Sequence, residues 1–257
     1  MKKILIKLSV LFLFTVLSAN TLKSQTIVST DSTKAKLKLN ISSDIVSRYV
    51  WRGTDYGNSP AIQPTLSLIY KNFEVGGWGS VATNSFYKEI DLYAKYSYRK
   101  FTLIFTDYYV PSANGTPAAA DTRFFTYKDQ TTAHAFEASL LFKGGDKFPL
   151  WVLGGVYFYG NDKRWGYDAS KDIAEKTYYS SYLEAGYTFT VQENSLDVLL
   201  GITPTSGAYG NKAGVVNMGF AGTRKIKISE SFELPVKASL LFNPQTSSAF
   251  FILGITL

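Results

Sequence analysis

From about residue 37 to its last residue the chain alternates in side-chain character with a period of two, and few folds accommodate that. In 231–242, Phe232, Leu234, Val236, Ala238, Leu240 and Phe242 share one side, opposite Glu233, Lys237 and Ser239. In 88–98, Ile90, Leu92, Ala94, Tyr96 and Tyr98 oppose Glu89, Asp91, Lys95 and Ser97; in 177–191, Leu183, Ala185, Tyr187, Phe189 and Val191 oppose Glu184, Thr188 and Thr190. Successive side chains of a strand point to opposite faces, so each segment has one apolar and one polar face. The pattern predicts an all-β chain of twelve strands: 37–52, 59–70, 73–82, 88–98, 101–110, 132–142, 149–160, 177–191, 195–205, 214–228, 231–242 and 249–257. No segment has a helical period, and no second domain is visible.

The connections alternate in length. Those at 71–72, 99–100, 143–148, 192–194 and near 229–231 are tight, whereas 111–131 and 161–176 are long. Short turns on one rim and longer loops on the other characterise transmembrane antiparallel up-and-down β-barrels, with the short turns in the periplasm. A soluble sandwich also alternates, but it turns its apolar face inward. Strands of ten or more residues match the ~9–11 needed to cross a tilted bilayer, and aromatic residues gather near strand ends, as interfacial girdles require. The expected fold is therefore an outer-membrane barrel over 37–257.

The first 24 residues fit such a destination. "MKKILIKLSVLFLFTVLSA" has lysines, an apolar run from Leu8 to Leu17, then small and polar residues, the layout of a secretory signal peptide. Residues 25–36 read as a flexible leader. The sequence has no cysteine, which excludes both a lipid-anchored N-terminus and a disulfide framework. Removing residues 1–24 takes away Lys2, Lys3, Lys7 and Lys23 and no acid, so the net charge falls from +7 to 7 − 4 = +3. No basic cluster remains that would point to nucleic acid.

In a barrel, the ionised faces enclose the lumen, because an arginine against lipid at mid-depth costs about 2–4 kcal/mol. In "SDIVSRYVWRG" (43–53), Ile45, Tyr49 and Trp51 are thus expected to face lipid and Asp44, Arg48 and Arg52 the lumen. By the same parity Asp91, Lys95, Glu137, Glu184, Asp197, Lys225, Glu233 and Lys237 point inward. Two readings of this set stay open. The charges are either a paired, static filling or the lining of a pore whose charge preference they set. Eight strands give a filled interior and sixteen to eighteen a wide channel; about twelve lies between.

Other candidates carry less. His134, the single histidine, shares parity with Phe136, Ala138 and Leu140, on the lipid side near the outer rim, and has no serine and acid on its face. The 161–176 loop offers Asp162, Asp168, Asp172 and Glu175, but interleaved basic residues make a solvated loop the plainer reading than a calcium site. Residues 111–131 are long enough to fold inward and constrict the lumen, or to stand outside as a lid; the latter is the plainer reading.

The run "SSDIVSRYVWRGTDYGNSPAIQPTLSLIYKNFEVGGWGS" (42–80) resembles the start of the TorF-type porin family, outer-membrane barrels of uncharacterised function. The shared features are a first strand ending in aromatic-Arg-Gly, Pro-Ala-Ile-Gln opening the second, and Gly-Trp-Gly-Ser in the third. The chain departs from such barrels at its end, which is Leu257 where an aromatic residue is usual. The resemblance implies a porin-like role and brings no catalytic residues. The expectation is a non-enzymatic, narrow passive channel in the cell outer membrane, open to small hydrophilic solutes, without cofactor or metal. Its partners would be outer-membrane lipid and lipopolysaccharide, the barrel-assembly machinery during insertion, and no nucleic acid. The alternative is a non-conducting barrel acting through its external loops.

Overall fold

The computed structural model describes residues 36–111, 121–129, 131–162 and 177–257. The signal peptide and all but the last residue of the leader lie outside this set, as do Asp168, Asp172 and Glu175. Fourteen strands are described: β1 (Lys38–Val46), β2 (Tyr49–Trp51), β3 (Thr54–Tyr56), β4 (Ala61–Tyr70), β5 (Phe73–Ala82), β6 (Lys88–Tyr98), β7 (Phe101–Tyr109), β8 (His134–Gly145), β9 (Phe148–Gly160), β10 (Ser181–Val191), β11 (Asn194–Thr203), β12 (Gly214–Ser229), β13 (Phe232–Asn243) and β14 (Ser248–Thr256). Twelve of them close into an antiparallel barrel in which every strand pairs with its neighbour and β14 returns to β1; β2 and β3 form a separate two-stranded hairpin.

Turn chemistry explains the tight rim. Tyr70↔Phe73, Tyr98↔Phe101 and Val191↔Asn194 close two-residue turns whose first residues, Lys71, Arg99 and Gln192, have φ of +55°, +54° and +55°. A positive φ at this position matches the turn to the right-handed twist of the flanking strands. The strand ends at Tyr109, His134, Gly160 and Ser181 lie at the opposite rim.

The pairing register sorts the faces. Leu66, Leu92, Phe105, Leu140, Leu200, Phe220, Leu240 and Phe251, from eight strands around the wall, all point outward and are 41–65 % exposed. An apolar band this continuous far exceeds the few hundred Å² a water-soluble monomer leaves bare. Buried polar groups (Gln63, Ser80, Glu89, Asp91, Glu137, Ser139, Asn217, Ser239 and Asn243) point the other way. The molecule is inside-out relative to a water-soluble fold.

Two inward glycines make room for rings. A Cβ on Gly201 would meet the Tyr182 hydroxyl at 2.1 Å, and one on Gly186 would meet the Trp151 indole at 2.2 Å. Both aromatic side chains thus lie across the wall of the next strand, where any larger residue would exclude them.

The first predicted strand, 37–52, is corrected by the structure. It leaves the wall after Val46, and its outer third becomes β2 of the inward hairpin. Tyr49 and Trp51, expected on the lipid side, are instead inside the barrel. The Tyr49 ring packs 5.4 Å from Trp78 and 5.9 Å from Tyr87, and Trp51 lies 5.3 Å from Tyr108. The physical reason is that the lumen offers these rings an aromatic bed and offers Arg52 a carboxylate.

Candidate functional site: an arginine held across the lumen

The β2–β3 hairpin turns on Arg52 and Gly53, whose φ of +49° and +78° give the tight two-residue turn that Arg-Gly permits. Gly53 is also a point of contact. A Cβ there would lie 1.8 Å from the Val216 carbonyl oxygen, and the Gly53 carbonyl accepts a 3.0 Å hydrogen bond from the Asn243 amide. The hairpin tip therefore touches β12 and β13, while its base rests on β5 and β6 through Tyr49 and its middle on β7 through Trp51. It reaches from one side of the lumen to the other.

Arg52 fixes it there. Its Nη2 donates to Glu137 Oε1 at 2.8 Å, and its Nη1 donates to Glu137 Oε2 and to the Tyr209 hydroxyl. Tyr209 donates in turn to Glu137 Oε2 at 2.7 Å, and Ser139 donates to Oε1. The guanidinium carbon sits 4.4 Å from the Trp51 ring centre and 4.6 Å from that of Tyr182. Tyr157 stacks on Tyr209 at 5.6 Å and 9°. Arg52 is 8 % exposed and Glu137 1 %. A buried guanidinium is tolerated only with a bidentate carboxylate and its remaining faces occupied, and both conditions are met here.

The other sequence-predicted residues are dispersed. Asp44, on β1, accepts from Thr256 Oγ1 of β14 at 2.6 Å and so ties the barrel seam. Arg48 pairs with Asp55 across the hairpin base at 2.9 Å. Asp91 is buried on β6 opposite Trp78, two residues from Glu89, which accepts from Tyr87 at 3.0 Å. Lys95 lies 3.5 Å from Glu74 and 4.2 Å from the Tyr93 ring centre. Glu184 accepts from Tyr182 and from the Asn217 amide at 2.8 Å; Asp197 accepts from Thr188. Lys225 and Glu233 meet at 3.9 Å, and Lys237 is exposed. Of the predicted set, Arg52 and Glu137 are joined by a buried ion pair, and Lys225 and Glu233 by a longer, exposed one.

Burial divides the lumen by height. Toward the loop rim, Arg52, Glu137, Glu89, Asp91, Asn217 and Asn243 are buried under the hairpin; toward the tight-turn rim, Lys38, Asn40, Lys225, Glu233 and Lys237 are exposed. Among the described residues, the charges at the tight-turn end are exposed, and residues 49–56 lie across the other end.

That closure was available to the sequence only as a role for 111–131. Residues 112–120 and 130 are outside the described set, but 121–129 lie against the outward side of the wall. The Tyr109 ring packs 5.0 Å from Phe124, and Tyr159 donates to the Tyr127 carbonyl at 2.6 Å. His134 is fully buried beneath them. Its Nδ1 is 2.7 Å from Asp107 Oδ1 and its Nε2 is 2.6 Å from the Phe124 carbonyl. The Nε2 atom thus meets the loop, while Nδ1 meets the neighbouring wall strand β7. His134→Ala should cost about 1–3 kcal/mol of loop docking, the cost of leaving a buried acceptor such as the Phe124 carbonyl unpaired; faster proteolysis at Arg123 and Lys128 with the barrel intact would show it. Asp162, from the acidic loop, is buried at the end of β9 and accepts from the Ser180 N–H at 3.1 Å, and burial raises its carboxyl above the usual range. It belongs to the strand end.

Tyr209, Tyr182, Asn217 and Asn243 complete the arrangement and were not singled out from sequence. Tyr209 lies in the 204–213 connection, where periodicity says nothing about direction.

Residues 30–140 match the model of a family described as a bacterial protein of unknown function (Gcw_chp). The matched span includes β1 to the middle of β8, and hence both Arg52 and Glu137. No curated protein matches the chain.

Proposed function

We propose that the protein is an outer-membrane channel, a narrow passive pore of porin-like type for small hydrophilic solutes or ions, whose resting state is closed by the β2–β3 hairpin. The observation that carries the reading is the division of the lumen. A barrel serving only as a scaffold has no need of a hydrated vestibule lined by Lys38, Lys225, Glu233 and Lys237. Here a folded-in segment lies across the lumen, its tip anchored by the Arg52–Glu137 pair and the Asn243 bond to Gly53. The outward apolar band supports placement in a bilayer, and two charge signs in the vestibule fit a pore for hydrated solutes.

Lys95, Asp197 and Lys237 are then the residues that bias which ions pass, with Asp44, Asp91 and Glu184 behind them. Arg48 and Arg52 act on the closure instead. The closed lumen also favours a second reading, a non-conducting barrel that presents its external loops to other molecules. Planar-bilayer recording decides between them. Replacing residues 48–59 with a two-residue Asn-Gly turn should leave a barrel that conducts continuously, where the native protein opens rarely. Silence from the shortened barrel at all voltages and salts would end the channel reading and leave the second.

A further inference from the structure

We propose that the pore opens by straightening of the β1–β4 hairpin, so that residues 48–52 leave the lumen and add to the free edge of β14. This rests on the channel reading above and names how the same site is regulated.

The wall is unfinished where the hairpin leaves it. β1 and β14 pair through Asp44↔Thr256, Ile45↔Ile255 and Val46↔Gly254, and the Ser47 N–H still donates to the Leu253 carbonyl at 2.7 Å. At that rung the Leu253 N–H is satisfied by the Ser47 hydroxyl, at 2.9 Å, where a continuing strand would present its carbonyl. Above it, among the described residues, Ser248–Ile252 of β14 have β13 on one side and no strand on the other. An uncovered strand edge is a template for pairing. At about 3.3 Å per residue the free edge is roughly 17 Å long, the length of Arg48–Arg52.

The register selects those residues. Continuing the β1–β14 ladder sets Tyr49 opposite Phe251 and Trp51 opposite Ala249. Phe251 points outward and is 65 % exposed. By strand alternation Tyr49 and Trp51 then also face outward near the loop rim, where an aromatic girdle belongs, and Arg48 and Arg52 face the water of the lumen. The alternation in "SRYVWRG" is that of a wall strand, although in the closed state it is not one.

A hinge is present. β1–β4 pairing ends at Val46↔Ala61 and β2–β3 pairing begins at Tyr49↔Tyr56, leaving Ser47 and Arg48 opposite 57–60. Gly57 and Asn58, at φ +92° and +46°, make the bend on the longer side. The two pairings are one long hairpin folded at this point. Changing a few dihedrals there moves β2–β3 as a unit with its own backbone bonds intact, as hinge motions do. Closed, the unit holds the Arg52–Glu137 pair; open, it gains backbone bonds to β14.

The chain has no cysteine, so an introduced pair reports without background. The full-length protein in lipid vesicles carries Tyr49→Cys and Phe251→Cys, which lie on opposite sides of the wall when closed and within disulfide range when open. Under mild oxidation a cross-link should form, read as a shift on a non-reducing gel; adding Glu137→Gln should raise its rate at least tenfold, and the cross-linked pore should conduct continuously. Trp51→Cys/Ala249→Cys reads the same register if the first pair fails to assemble. Conduction by the double-cysteine proteins without any cross-link overturns the hinge and leaves the channel standing. A cross-linked protein that stays silent overturns the channel and leaves the hinge movement.

Discussion

Glu137→Ala is expected to release the hairpin while the barrel persists. The substitution leaves Arg52 buried among Trp51, Tyr182 and Tyr209 with no counter-charge, and removing one partner of a buried pair costs about 3–5 kcal/mol. A wall residue in that position would unfold the domain. Arg52 sits on a hairpin, so the cheaper response is for the closed arrangement to give way. At about 1.4 kcal/mol per factor of ten, closure weakens by roughly two to three and a half orders of magnitude. The check is open probability in planar-bilayer recording, with barrel integrity read from heat-dependent gel mobility. Arg52→Ala should do the same from the other side, because it strands Glu137. The double variant Arg52→Ala/Glu137→Ala should fall well short of the sum of the two, since each single change leaves a lone charge and the double leaves neither. Unchanged gating in both single variants would show that the ion pair does not hold the lumen shut.

Leu92→Arg carries the second large effect. Leu92 lies near the middle of β6, points outward and is 45 % exposed. Were the outward face in water, placing arginine at so open a position would change stability by no more than about 0.5 kcal/mol. Against hydrocarbon near mid-depth the same change costs about 2–4 kcal/mol. The inward comparison is Thr188→Lys on β10, which places an ammonium beside Asp197 and should be tolerated. Equilibrium denaturation of the protein refolded in vesicles measures both. Equal, small effects would mean that the apolar band does not meet lipid.

The strands were legible because nothing in the sequence competes with a period of two. Each wall strand has one solvent of its own, inside or outside, and one-residue slips would expose every charge to the wrong one. Segments such as 73–82 and 88–98 therefore coincide with β5 and β6 to the residue. The hairpin was not legible for a different reason. Ser47–Arg52 keeps the alternation of its strand, and its partners lie 85 residues away at Glu137 and 157 at Tyr209. No local rule says which side of a wall a segment takes when both positions satisfy its pattern. The visible signs were Arg52-Gly53 and the Gly57-Asn58-Ser59-Pro60 run, but sequence reasoning ended one strand at Arg52, began the next at Ser59 and took only 53–58 as the connection. His134 shows the same limit. Parity gave its side of the wall, but only the fold reveals Phe124 and Tyr127 lying over it.

The seam at Asp44 and Thr256 has a consequence for how the molecule comes to exist. Those two residues are 212 positions apart, yet the short β1–β14 ladder they belong to converts a curved sheet into a cylinder. Contacts so distant in sequence form slowly, because the entropy of bringing the ends together is lost before any bond repays it. Shortening the chain by its last nine residues would remove the strand that meets β1 and leave two raw margins, so a ribosomal product that stops early has no partial shape to settle into.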